Sequence, residues 1–448
     1  MLDSLKTKIV VGILGLLLIL MAWWRMEKSP QVIAIAQPKL NIQHWQSEQG
    51  AKIIFVENHQ LPIVDMQLLF PGGAAFDSQC YGMSNLTALM LDEGIEGKDA
   101  NAIATDFESL GAEYGAFVNH DTVSISLRTM RHNKYFKPAV ALFHQVISKP
   151  TFPEASLERI KRNLLREYEM MTQQAPFVAS EAYLQALYGS QPYGHRPIGN
   201  KACLETVHSD SVKAFYRKHY IANQGVLAIV GDLTLSEAKH LAEQVLQGLD
   251  VGEKQDLAVS SQTMKTGRQH IDFLSTQTTV LLGQVAISRN HPDYFPLLVG
   301  NHILGGGMNS RLFISVREEG GLAYHVSSGF SPILLPGPFT VKFSTRNDKA
   351  EEALALAKSE FANFIQAVIT TDELQSAKRY LSQHYIFSLG SNRQLVSVLA
   401  SMVFYALPLD YLQSYAASIN RVTVSQVNEA FQKHLDTRHM AIVSVGGK

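Results

Sequence analysis

Cysteine occurs only twice in the 448 residues, at Cys80 and Cys203, which excludes a disulfide framework. The two thiols either form one bridge or stand apart as half-buried residues, and sequence spacing leaves both readings open. An excess of charge is also missing: 39 basic and 40 acidic residues give a net charge of −1, with no electrostatic footprint for nucleic acid. With 46% hydrophobic and 18% charged residues the chain has ordinary globular composition, which excludes disorder, a coiled coil and a collagen-like repeat. Histidine is plentiful at 16 residues, yet no two fall four apart, the spacing that sets two imidazoles on one helical face for a metal.

Long apolar runs are absent with one exception. Ile9 to Trp24 is unbroken by any polar side chain, follows Lys6 and Lys8, and precedes Arg25 and Lys28. As a helix it spans roughly 24 Å, a little short of a bilayer core, with Trp23 and Trp24 suited to the membrane interface. It reads as an uncleaved anchor or as a signal peptide cut near Ala34-Ile35-Ala36. Either reading places the body outside the cytoplasm, most simply in a bacterial periplasm. No cysteine lies nearby for lipid attachment.

A chain of this length predicts two or three domains. VHSDSVKAFYRKHY from Val207 matches VTVSQVNEAFQKHL from Val422 at an offset of 215 residues, pairing Tyr216 with Phe431 and His219 with His434. The register continues from Val226–Asp232 into Ala441–Gly447, pairing Gly231 with Gly446. Two consecutive elements in one register argue for duplication of a whole domain. The expected divisions are 1–40 as signal and tether, 41–250 as the first domain, 251–265 as a linker and 266–448 as the second domain. Strands are expected over Ile53–Phe70, broken at Glu57-Asn58-His59, and over Thr122–Thr129; helices over Ser156–Thr172 and Lys349–Val368. The fold class is α+β: two homologous domains, each an antiparallel-rich sheet covered by helices on one face, preceded by an N-terminal membrane segment.

Residues Gly82 to Gly94, GMSNLTALMLDEG, have the frame of an inverted zinc-peptidase helix, H-x-x-E-H, without its ligands. Its histidine positions fall on Asn85 and Leu89, and its general-base glutamate on Ala88. A carboxamide and two alkyl groups neither hold zinc nor take a proton from bound water. Phe70-Pro71-Gly72-Gly73 before this segment, Pro192-Tyr193-Gly194 and Val230-Gly231-Asp232 after it, and Leu304-Gly305-Gly306-Gly307 running into FISVREEGGLAY (Phe313–Tyr324) add four further segments in order. Together they resemble the pitrilysin/insulinase (inverzincin) family of zinc metallopeptidases over nearly the whole chain after residue 45.

The resemblance implies a third zinc ligand at Glu167, 78 residues after Leu89, but one carboxylate does not hold zinc, and a solvated helix residue is the plainer reading. It also implies the non-catalytic subunit of a two-subunit member, whose second domain lends an arginine and a tyrosine to its partner's site. Arg317 and Tyr324 match that pair; the plainer alternative is that Arg317 caps a helix and Tyr324 packs at a strand start. Helix is expected to continue over Asn309–Arg317, and Gly305–Gly307 lacks the G-K-[ST] ending of a phosphate loop. The scattered histidines, His219 and His434 included, read as packing or capping residues, and His120-Asp121 as neighbours on a strand pointing to opposite faces.

The expected function is therefore a silent subunit that pairs with an active H-x-x-E-H chain in extracytoplasmic proteolysis, binds peptide substrates, and carries no metal itself, with zinc on the partner. The alternative is a peptide-binding or structural module of the same fold. An enzyme with a relocated metal site is the third reading.

Overall fold

Two mixed sheets organise the chain in the computed structural model, which describes residues 40–78, 80–257 and 264–447. The apolar run 9–24, the tripeptide 34–36 and the centre of the expected linker lie outside the described residues. Among the described residues no helix is long and apolar enough to cross a membrane. In chain order the strands are β1 (Ile42–Gln46), β2 (Lys52–Glu57), β3 (Ile63–Pro71), a short ribbon of β4 (Gly94–Ile95) and β5 (Lys98–Asp99), β6 (Glu113–Val118), β7 (Thr122–Met130) and β8 (Val226–Gly231). The second half supplies β9 (Gly267–Phe273), β10 (Gln277–Val285), β11 (Val326–Phe330), β12 (Pro338–Arg346) and β13 (Ala441–Gly447). The sheets run β1-β2-β8-β3-β7-β6 and β11-β12-β10-β13-β9.

The expected antiparallel-rich pairing is modified at one place in each sheet: β8 lies parallel to β2, and β13 parallel to β9. Each of these last strands returns from a helix, and a helical crossover delivers a strand parallel to its neighbour, where a hairpin cannot. The repeat explains the match. Helix Ser209–His219 leads to β8, and helix Val424–His434 leads to β13, at the same offset. The same interval relates helices Glu154–Thr172 and Ala175–Tyr188 to Thr371–Phe387 and Asn392–Phe404. Gly231 and Gly446, paired by the repeat, take φ 154° and 150°. A Cβ on Gly231 would stand 2.4 Å from the Ile63 carbonyl oxygen, so only glycine lets β8 and β3 approach there.

Helices cover both faces of each sheet, not one as expected, and one cover is exchanged between the halves. Val226, Ala228 and Val230 of β8 pack with Leu395, Val396, Leu399 and Met402 of helix Asn392–Phe404, which belongs to the second half. Leu227 and Ile229 face the first half's own helices. Reciprocally, Ala175, Ala179, Tyr183 and Leu187 from the first half pack on Leu281, Ala441, Val443 and Val445. The Tyr183 hydroxyl fixes that contact by donating to the Phe339 carbonyl at 2.9 Å. A strand buried on both faces needs an unbroken apolar run, and VLAIVG supplies it.

A buried carboxylate joins the halves. His120 and Asp121 lie in the turn between β6 and β7, not on a strand. Asp121, fully buried, accepts from the Tyr193 hydroxyl at 2.5 Å, the Tyr405 hydroxyl at 2.8 Å and the Leu334 amide at 2.9 Å. Two of those three donors come from the second half.

Candidate functional site

The zinc-helix frame is shorter than its letters suggested: helix covers Met83–Leu89, and the chain turns out before β4. Gly94 is drawn away by the neighbouring segment, where the Thr151 amide donates to its carbonyl and a Cβ would lie 2.6 Å from Thr151 Oγ1. The helix start is tightly held. The buried Asp77 carboxylate accepts from the amides of Gly82 and Ser84, both at 2.7 Å, taking two of the unpaired donors of a helix N-terminus. His195 reaches the same carboxylate at 3.2 Å and the Ala74 carbonyl at 2.9 Å, and Tyr81 stacks on its ring at 3.8 Å. Gly82, at φ 103°, sits so close to Gly199 that a Cβ would come within 2.8 Å of its Cα. Cys80 and Cys203 are joined, so the bridged reading is the correct one.

Within this helix Ala88 is buried, Asn85 half-buried and Leu89 exposed. Glu167 lies exposed on helix Glu154–Thr172. That helix is still tied to the end of the frame, by an ion pair from Arg159 to Glu93. Packing and this ion pair hold the two helices together.

In the second half, Phe313–Glu319 winds as a π-helix where ordinary helix was expected through Arg317. The Gly321 amide donates to the Arg317 carbonyl, and Gly321 turns the chain at φ 60°. This wider turn and the reversal that follows bring residues 317 and 324 together. The Arg317 guanidinium lies 4.6 Å from the Phe313 ring centre and 4.9 Å from that of Tyr324. Tyr324 is 82% exposed, so it does not pack at the strand start, and β11 begins only at Val326. Among the described residues no carboxylate pairs with Arg317. A guanidinium stacked on an aromatic ring keeps its N–H fork free, and the exposed phenol offers a second donor beside it. The arrangement can receive an anion or a polarised carbonyl.

The repeated histidines differ from each other. His219 is buried among Phe215 and Phe76, and burial, together with the Lys218 charge, pushes its pKa down to about 4 against a hydrogen bond to the Pro71 carbonyl. Its folded value lies below its unfolded value of 6.5, so the unfolded chain takes up the proton first. Stability present above pH 6.5 is therefore lost as pH falls toward about 4, by ~3 kcal/mol for this group. Unfolding curves between pH 7 and 4 should be flatter for His219→Phe than for the wild type; parallel curves would remove His219 from the acid response.

Residues 52–200 match the family model for insulinase, peptidase family M16, and residues 206–381 match that for the peptidase M16 inactive domain. In sequence the chain is 23% identical over 402 residues to a non-peptidase homologue of Helicobacter pylori, covering 88% of this chain and 92% of that one. It is 28% identical over 298 residues to an uncharacterized zinc protease of Rickettsia bellii, covering 66% and 71%. The crystal structure of a peptidase M16 inactive domain from Pseudomonas fluorescens superposes with a TM-score of 0.88 at 40% identity, over 91% of this chain and 99% of that one. That of a protease from Helicobacter pylori superposes with a TM-score of 0.82 at 16% identity, over 91% and 99%, which shows a shared fold.

Proposed function

The chain belongs to the M16 (insulinase/pitrilysin) peptidase family, and from that premise we propose that it acts as a catalytically silent subunit completing the site of a zinc-bearing partner. The observation that carries this reading is the free guanidinium of Arg317 held against the exposed Tyr324 ring. The frame at 83–89, with Asn85 and Leu89 in the histidine positions and Ala88 in that of the general base, supports a division of labour: the partner brings H-x-x-E-H and zinc, and this chain brings donors. Arg317 and the Tyr324 hydroxyl would hold the substrate carbonyl and the negative charge that develops on its oxygen, while the partner's zinc would supply activation of water. Fixed donors aimed at a developing charge stabilise the transition state more than the ground state. The substrates are peptides, and the apolar run 9–24 would hold the complex at the outer side of a bacterial inner membrane.

Purification of the full chain from its native host tests this. Zinc in the partner's H-x-x-E-H site and peptide cleavage are expected, with Arg317→Ala lowering kcat by about 10²-fold and Tyr324→Phe by less, since a lost oxyanion donor costs roughly 10²–10³. A homodimer without cleavage would leave the second reading, a peptide-binding or structural module of the same fold.

A further inference from the structure

The two halves carry different residues at one repeated place. In the first half His219 stands edge-on to Phe76, with ring centres 5.4 Å apart. The repeat sets His434 in place of His219, His291 in place of Phe76 and Asp293 in place of Ser78. His291 and His434 keep the edge-on arrangement, with centres 4.7 Å apart and planes at 87°. One Asp293 oxygen sits between them, 2.7 Å from His434 Nε2 and 3.9 Å from His291 Nδ1.

We propose that His291, Asp293 and His434 form a binding site for one divalent transition-metal ion of the zinc class, a site the first half does not have. One ligand atom from each of the three lies within 4.8 Å of the other two. With metal–ligand bonds of about 2.0–2.1 Å, tetrahedral donors stand roughly 3.4 Å apart, so closure needs side-chain movements of about an ångström. Two imidazoles and a carboxylate are a donor set that such ions take, with a fourth position left for water. All three residues are less than one-third exposed. A solvent-open groove of about 350 Å³, lined by Pro292, Asp293, Arg421, Gln426, Glu429 and Lys433, gives the ion a way in and supplies the water.

Three present interactions must yield. The 2.7 Å hydrogen bond between His434 Nε2 and the Asp293 carboxylate is replaced by the ion. Lys433 Nζ lies 2.8 Å from the same Asp293 oxygen, and the Asp293 amide donates to His291 Nδ1 at 3.0 Å. Lys433 is 63% exposed and has Glu429 one helical turn back to receive its charge. The ion would tie the start of helix Tyr294–Gly305 to the end of helix Val424–His434. The site departs from the expectation that this chain holds no metal, and it stands apart from the 83–89 frame.

The test uses the full, untagged chain, stripped with chelator and titrated with Zn²⁺ and with Co²⁺. One equivalent bound, visible Co²⁺ bands from nitrogen ligation and a raised melting midpoint are expected. His291→Phe/Asp293→Ser, which reproduces the first half, should weaken Zn²⁺ binding at least 100-fold. Asp293→Asn, which leaves the helix start intact, should weaken it at least tenfold. Absence of stoichiometric binding by the wild type, or an affinity unchanged in both variants, would overturn the proposal.

Discussion

Replacing Asp121 with alanine is expected to cost about 4 kcal/mol and to loosen the two halves from each other. The carboxylate is fully buried and is shared by Tyr193, Tyr405 and the Leu334 amide, so its removal leaves two phenols and one amide without their acceptor. Burial, followed by the Asp121 charge, pushes the Tyr193 and Tyr405 hydroxyls well above the usual phenol range, which keeps both as donors at any working pH. Unfolding of roughly 400 ordered residues carries an entropy near 0.8 kcal/mol/K, so the midpoint should fall by about 5 °C. Tyr405→Phe removes one donor that crosses between halves and should cost about 1–2 kcal/mol. Calorimetry of both variants decides the matter. A midpoint within 1 °C of the wild type for Asp121→Ala would mean that packing alone joins the halves.

Loss of the Cys80–Cys203 bridge should be of similar size. The two residues are 123 apart in sequence, and a loop of that length gives a chain-entropy ceiling near 5 kcal/mol, with roughly 2–5 kcal/mol usual for native bridges. The bridge also lies beside the Gly82–Gly199 contact and the Asp77 cap, so Cys80→Ser/Cys203→Ser should loosen the 83–89 helix first. Hydrogen exchange should show the amides of Gly82 and Ser84 losing protection beyond the global change. A uniform loss across the molecule would argue that the bridge acts only on the unfolded chain.

Much of the fold was legible because its repeat kept letters where the core constrains them, as at Val212 and Val427 or Gly231 and Gly446. Helices 154–188 and 371–404 share the same interval with few identities, since many side chains suit a helix face. The run VLAIVG announces a strand buried on both sides, but nothing in it says which helix lies on which face. The 82–94 frame looked like one helix because its letters suit helix, while the pull of Thr151 on Gly94 is a tertiary effect. Arg317 and Tyr324 were picked out by resemblance, and the π-helix and reversal that bring them together leave no mark in periodicity. Asp121 looked like an ordinary polar neighbour of His120, because its donors lie 72 to 284 residues away. His434 read as a packing or capping residue, and its approach to His291 and Asp293 stayed out of view for the same reason, with no i, i+4 pair among the three.

The exchanged helices bear on how such a chain could have arisen. A single 215-residue copy would leave one sheet face bare and one helix, the counterpart of 175–188 or 392–404, with nothing to lie against. The cure for that unit is a twin that lends its helix and borrows one in return, a closed two-fold pair. Tandem fusion then turns an association that depends on concentration into one that does not, because the second copy is always at hand. Once the two copies share a chain they are also free to diverge, each keeping the helix its sister needs while altering everything else.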